Sequence, residues 1–367
     1  MNPLRALWEE HGQAAWLDYI ERDLLTDGGL ERLVVSDGVR GVTSNPSIFK
    51  AAITGSESYD TDIDVFLAAH PDATTAELYE ALAITDIRMA ADILAPVYET
   101  SVGTDGFVSL EVSPHLAHDT AGTEAEARRL WKAVDRPNLM IKVPATSAGI
   151  PAIENLIAAG INVNATLMFS LADYEAVARA FLHGLERRDD PSGVASVASF
   201  FVSRVDTKID AALEAIGTDE ALGLRGRAAI ANSRLAYRRF LELFHHPSFV
   251  EMKARGAQVQ RPLWASTSTK NPDYLDVLYV EELVGPETVN TLPTATLEAY
   301  RDHGRPESKI AETFDEDEAL LTQLGVLGID LDQATTQLQV DGVTSFAEAF
   351  DELMAALETK RAARVGA

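Results

Sequence analysis

Eight short apolar, β-rich runs recur along this chain, separated by longer amphipathic stretches, and that alternation restricts the possible folds more than any other feature. The runs fall at residues 15–20, 39–43, 108–112, 139–143, 162–169, 194–202, 262–266 and 289–291. Helical periodicity marks the intervening segments 76–98, 123–134, 148–159, 171–187 and 221–244. Strands alternating with helices build βαβ units whose strands lie parallel in one sheet. Eight of them predict an α/β protein built as a closed (β/α)8 (TIM) barrel. A doubly wound open sheet is the alternative. It usually carries a glycine-rich loop after its first strand, and no G-x-G-x-x-G occurs here. The barrel is expected over residues 1–312. Residues 313–367, acidic at 315–318 and strongly helical through 346–361, are expected to form additional C-terminal helices packed on the same domain. The acidic cluster reads as a solvated face rather than a calcium loop. A homodimer contact through this extension is conceivable, but no residue pattern supports it.

Charge excludes several classes of partner. The 31 basic and 57 acidic residues leave a net charge of −26, which argues against binding nucleic acid or an anionic membrane surface. A phosphorylated ligand would have to be held by a few local cations. There are no cysteines, so disulfides, thiolate metal sites and a cysteine nucleophile are excluded, in keeping with a cytoplasmic protein. The first residues bring acids early and do not read as a signal peptide. The uncharged stretch 155–172 is interrupted by Gly160, Asn162, Asn164, Thr166 and Ser170, and reads as a helix end followed by a buried strand rather than a membrane span.

One lysine stands out. In Asn138-Leu139-Met140-Ile141-Lys142-Val143-Pro144-Ala145-Thr146 a single cation sits within an apolar strand, projecting opposite to Ile141 and Val143. Buried lysines are rare without a partner or a role. Desolvation disfavours the ammonium and yields a neutral amine able to attack a carbonyl, which makes Lys142 a candidate Schiff-base nucleophile. A lysine snorkelling to solvent, or a structural ion pair, is the plainer explanation on this residue alone. The other strand ends weigh against it, because barrel enzymes gather their catalytic groups there. They supply Asp18, Thr43-Ser44-Asn45, Glu111, Asn164, Thr166, Ser199 with Arg204, and Ser266 with Lys270. One amine, two carboxylates, neutral hydrogen-bonding groups and two further cations suit carbonyl chemistry on a hydroxylated, phosphorylated substrate.

The motifs Gly41-Val42-Thr43-Ser44-Asn45-Pro46-Ser47, Ser109-Leu110-Glu111-Val112 and Ile141-Lys142-Val143-Pro144-Ala145-Thr146 occur in that order. They are followed by Asn162-Val163-Asn164-Ala165-Thr166-Leu167-Met168-Phe169-Ser170 and Ser199-Phe200-Phe201-Val202-Ser203-Arg204-Val205-Asp206. With these motifs the chain resembles the transaldolases, in the class I aldolase group of barrels. The likeness runs from Asp18 to about Tyr300, and the segment after about Thr313 adds little to it. It implies transfer of a dihydroxyacetone unit between sugar phosphates, with a lysine in place of any cofactor and no metal. By the same resemblance Lys142 is the Schiff-base lysine, and Asp18 takes the proton from the donor's C4 hydroxyl. Glu111 and Thr166, with a trapped water, shuttle protons as the carbinolamine dehydrates. Asn45 and Asn164 orient hydroxyls, Thr43 and Ser199 line the pocket, and Arg204 binds phosphate. Ser266 transfers well. Lys270 departs from the family's second phosphate cation in type and spacing, and a lysine holds phosphate as a point charge without arginine's fork.

Plainer roles compete at several positions. Asp18 could cap a helix near 19–25, and Glu111 could serve a buried ion pair. Thr43-Ser44-Asn45-Pro46 reads as a helix start with Pro46 first, so Asn45 or Ser44 should cap even if the loop binds substrate. Lys208 is expected in surface pairing. His115, His118, His245 and His246 match no metal-ligand spacing. Two other functions remain open from sequence: an aldolase that releases the fragment, and a sugar-phosphate binder lacking catalysis. The second would be expected to lack one of Lys142, Asp18, Glu111 or Thr166.

Overall fold

The computed structural model describes residues 2–365, and a closed barrel of eight parallel strands in chain order forms its centre. The strands are β1 (Gln13–Leu17), β2 (Gly41–Val42), β3 (Phe107–Glu111), β4 (Leu139–Pro144), β5 (Val163–Met168), β6 (Ser196–Phe201), β7 (Gln260–Ala265) and β8 (Thr288–Leu292). Each overlaps one of the eight runs, with ends shifted by up to three residues, and the architecture is a (β/α)8 barrel. Every strand residue is buried, because side chains fill the barrel on one face and helices cover the other. Closure comes from β8 returning to β1, in register from Gln13↔Thr288 to Leu17↔Leu292. Gly41 has a packing reason. A Cβ there would stand 2.5 Å from the Trp16 indole that fills the barrel beside it.

Helix starts follow local chemistry. Asn45, Thr74 and Ser170 each accept a backbone N–H three residues on, and Glu77 and Asp173 reciprocate for the last two. The segment 221–244 is not one helix. Asp219–Leu222 ends in a turn holding Gly223 and Gly226, the latter at φ +71°, before Ala228–Phe244 begins. Asp60–Ala69 escapes the periodicity argument because it buries only Ile63 and Leu67. Among the described residues no helix is long and apolar enough to cross a membrane.

The C-terminal residues do two different things. Phe314–Val326 packs on Ala228–Phe244, where Arg234 donates to Thr313 at 2.7 Å and lies 3.7 Å from Asp317. The acidic cluster is therefore not wholly solvated: Asp317 is buried, and burial pushes its carboxyl up. Leu331–Val365 is one helix of 35 residues that begins well before residue 346. Its buried positions Thr335, Leu338, Gly342, Phe346, Leu353 and Leu357 recur at helical spacing along one side. That side lies over the C-terminal ends of β4 and β5, where Gln339 Nε2 donates to the carbonyls of Ala145 and Leu167, both at 3.1 Å. Farther along, Phe350 meets Tyr79 edge-on at 5.6 Å, and Lys360 pairs with Asp60 at 3.0 Å.

Candidate active site

Parallel register places Glu111 beside Lys142 and Lys142 beside Asn164 on three adjacent strands. Lys142 is 5 % exposed, and its Nζ donates to the Ser44 carbonyl at 3.2 Å. Glu111 Oε2 lies 3.8 Å from the same nitrogen. The Phe346 ring, from the C-terminal helix, stands 5.7 Å away.

Asp18 directly follows β1. Its Oδ1 accepts from Thr43 Oγ1 at 2.7 Å, and that hydroxyl lies 2.6 Å from Thr291 Oγ1 on β8. Asp18 caps no helix, since Glu21 precedes the helix Arg22–Thr26. Burial raises the Asp18 carboxyl above its ordinary value, while the Lys142 charge and the Thr43 hydroxyl oppose the rise. Glu111 is pushed up to about 7, first by burial and further by Asp18, with Lys142 again opposing. Two carboxylates beside one amine thus titrate differently from carboxylates in water, as proton-transfer groups must. Neither oxygen of Glu111, nor Thr166 Oγ1, has a protein hydrogen-bond partner among the described residues. Buried polar atoms of this kind are ordinarily satisfied by water or a ligand.

A cavity of about 200 Å³ opens above this cluster. Nine of the eleven residues singled out from the sequence line it: Asp18, Thr43, Asn45, Lys142, Thr166, Ser199, Arg204, Ser266 and Lys270. Glu111 and Asn164 lie behind that lining. Asn164 Nδ2 donates to Ser109 Oγ at 3.0 Å, and Asn164 Oδ1 accepts from Ser199 Oγ at 2.6 Å, so its amide is already held from both sides. Asn45 both lines the cavity and caps Pro46–Gly55, accepting from Ile48 N at 3.0 Å. Glu111 also borders a void of about 10 Å³ with Tyr79, Asn45 and Phe350, room for a single water.

Two cations stand at the far side. Arg204 lies at the start of the helix Ser203–Ile216, its guanidinium 5.4 Å from the Phe201 ring, and among the described residues it pairs with no carboxylate. Lys270 is exposed and donates to Ser268 Oγ at 2.8 Å. A helix N-terminus and two cations free of carboxylates form a corner suited to an anion. Ser266 directly follows β7 at φ +57°, a left-handed conformation, and its Oγ lies 2.9 Å from Ser203 Oγ. Lys208 lies 4.0 Å from Asp341, whereas Asp206 turns inward to accept from Ala229 N and Tyr279 Oη. His115 contacts Asp351 at 2.8 Å, and His245 contacts Glu287 at 2.7 Å. Among the described residues no cluster of three potential metal ligands occurs.

Sequence reasoning missed three contributors. Thr291 follows the same strand-end rule as the others and could have been found by it. The Ser44 carbonyl acts through the backbone, so its side chain carries no signal. Phe346 reaches Lys142 from a helix some two hundred residues away in the chain, and nothing local marks it.

The chain is similar to known proteins over most of its length. The family described as Transaldolase/Fructose-6-phosphate aldolase matches residues 15–357. The match includes Phe346 and most of the C-terminal helix, so that segment belongs to the likeness rather than lying outside it. A protein of Thiobacillus denitrificans named Transaldolase is 51% identical over 348 residues, 94% of this chain and 96% of its own length. Another of that name, from Mycolicibacterium smegmatis, is 50% identical over 364 residues, 97% of each chain. Transaldolase 1 of Streptomyces coelicolor is 48% identical over 353 residues, 95% of this chain and 92% of its own.

Proposed function

The chain belongs to the transaldolase/fructose-6-phosphate aldolase family, and we propose that it moves a dihydroxyacetone unit from a ketose phosphate to an aldose phosphate through a Schiff base on Lys142. It is an enzyme of the transferase class. The donor and acceptor would be sedoheptulose 7-phosphate and glyceraldehyde 3-phosphate, giving erythrose 4-phosphate and fructose 6-phosphate, the exchange of the cytoplasmic pentose phosphate pathway. One observation carries the reading: a buried amine lies 3.8 Å from a carboxyl poised near neutrality, at the floor of a cavity that also holds a second raised carboxyl and two cations.

The chemistry follows from the positions. Lys142 passes a proton toward Glu111 and attacks the ketone at C2 of the donor. The carbinolamine then loses water as protons return through Glu111, Thr166 and a water between them, leaving a protonated imine. Asp18 takes the C4 hydroxyl proton, the C3–C4 bond breaks, and the bonding electrons move into the imine to leave an enamine on Lys142. The departing aldose is replaced by the acceptor, whose carbonyl carbon the enamine attacks while Asp18 returns its proton. Hydrolysis of the new imine frees the ketose product. Each positioned acid or base typically contributes roughly 100- to 10,000-fold. Arg204 and Lys270 hold the phosphate. Thr43, Asn45, Ser199 and Ser266 line the path of the sugar hydroxyls, and Asn164 stiffens the floor beneath them.

Borohydride trapping with fructose 6-phosphate, followed by peptide mapping, tests this. A dihydroxyacetone adduct on Lys142 is expected, and adding erythrose 4-phosphate should convert the fragment to sedoheptulose 7-phosphate faster than free dihydroxyacetone appears. No adduct on a folded, sugar-binding protein would remove the mechanism. Free dihydroxyacetone accumulating as fast as transfer product would make the chain an aldolase.

A further inference from the structure

The barrel's other mouth holds a second cavity. At the N-terminal ends of the strands about 490 Å³ is bordered by Trp8, Phe107, Met140, Val197, Val259 and Arg261, among others. Trp8 comes from the helix Pro3–Glu9, and Phe107, Met140, Val197 and Arg261 from β3, β4, β6 and β7. Apolar walls with a few fixed polar groups, in a volume of several hundred Å³, are the usual form of a small-molecule site.

The polar group is unusual. Arg261 is 9 % exposed, and among the described residues its side chain makes one hydrogen bond, from Nη2 to Asp105 Oδ1 at 3.3 Å. That oxygen already accepts from Trp16 Nε1 at 2.9 Å, and Asp105 Oδ2 accepts from Arg40 Nε at 2.7 Å. Two guanidinium groups therefore share one fully buried carboxylate, leaving one positive charge in excess. Each guanidinium also faces an indole, Arg40 the Trp8 ring at 4.0 Å and Arg261 the Trp16 ring at 5.9 Å, so Arg261, with the longer hydrogen bond and the more distant ring, is the less closely partnered of the two. At the rim Lys253 and Glu287 offset each other at 3.9 Å. A guanidinium keeps its charge, and the N–H groups of Arg261 that Asp105 does not take up are left to donate to an anion in the cavity that the residue lines.

We propose that this cavity binds a small organic anion with a flat apolar body, its carboxylate or sulfonate on Arg261 and its body against Trp8, Phe107 and Met140. The net charge of −26 opposes anions at long range, so selection rests on the arginine fork and the apolar walls acting together. The hydrogen-bonded layer of Ser109, Asn164 and Ser199 separates this site from the cavity above Lys142. The two sites should therefore fill independently.

Calorimetric titration of the full chain with naphthalene-2-carboxylate tests the proposal. One saturable site is expected, with an affinity unchanged by saturating fructose 6-phosphate. Arg261→Gln, Val259→Trp at the mouth, and the neutral analogue naphthalene-2-methanol should each weaken binding about tenfold or more. Val259→Trp and the neutral ligand leave the Asp105 cluster intact, so the test stands even if Arg261→Gln fails to fold. No binding by the parent protein, displacement by fructose 6-phosphate, or equal affinity for the neutral analogue and in Val259→Trp would each overturn it.

Discussion

Lys142 Nζ and Glu111 Oε2 stand 3.8 Å apart with side chains only 6 % and 4 % exposed, close enough to share a charge and too far to share a hydrogen bond. A pair this buried is expensive to ionise, and the Glu111 carboxyl, pushed up to about 7, reflects that expense. The folded protein therefore holds the Glu111 proton more tightly than the unfolded chain, whose ordinary value is 4.5. Stability from this group is fully present below that ordinary value and is lost as pH rises through about 7. Denaturant midpoints measured near pH 5 and pH 8 should show Glu111→Gln gaining on the parent protein as pH rises. The same substitution should slow imine formation roughly 100- to 10,000-fold and erase the inflection near neutrality from its pH profile. An unchanged profile would place the titrating group elsewhere.

Asp18 acts at a different step, and a trapped mass can show it. Asp18→Asn keeps a hydrogen-bonding acceptor for Thr43 but removes the base that takes the C4 hydroxyl proton. Imine formation on Lys142 should survive while carbon–carbon cleavage falls roughly 100- to 10,000-fold. Borohydride trapping with fructose 6-phosphate should then yield the intact six-carbon adduct in place of the three-carbon fragment. A three-carbon adduct formed at the parent rate would assign the proton transfer to another group.

Arg204 and Lys270 should differ in weight. Arg204 is half-buried beside Phe201, whereas Lys270 is exposed and tied only to Ser268. Arg204→Ala should raise KM for fructose 6-phosphate roughly ten- to a hundredfold, in line with the loss of a charge-assisted hydrogen-bonded pair. It should leave trapping of unphosphorylated dihydroxyacetone nearly unchanged. Lys270→Ala should show the same pattern, several-fold weaker. Equal losses on both substrates would mean that Arg204 holds the fold rather than the phosphate.

The barrel was legible in sequence because parallel strands buried on both faces leave continuous apolar runs, and eight of them recur at βα spacing. Lys142 was legible for the same reason, as one cation breaking such a run. Asn45 kept the capping role that Asn-Pro suggests while also lining the cavity. Residues 223–227 were misread as helix because the turn depends on Gly223 and Gly226, which periodicity alone does not weigh. The roof of the site was not legible. Phe346 and Gln339 act through a long helix whose buried stripe says that it packs, and nothing in that stripe says against what.

Gln339 gives that roof a measurable consequence. Its amide donates to Ala145 O, just beyond the strand that carries Lys142, and to Leu167 O, directly after Thr166. Leu167 sits at φ +60° where the register of β5 against β6 shifts, a left-handed conformation that a branched side chain holds only when its surroundings enforce it. Gly342, one turn farther along the helix, allows the approach, since a Cβ there would lie 3.1 Å from Leu167 Cδ2. Gln339→Leu keeps the bulk and strips both donors, leaving two carbonyls without this partner, at a cost of about 1–3 kcal/mol in stability. Because both carbonyls lie close along the chain to residues of the imine step, kcat should fall by about tenfold or more while KM for the sugar phosphate changes little. Gln339→Glu, with no amide hydrogens to donate at neutral pH, should behave like the leucine variant. Gln339→Asn, one methylene shorter, should recover little. If kcat holds while only the melting temperature drops, the contact braces the fold and does not tune the site.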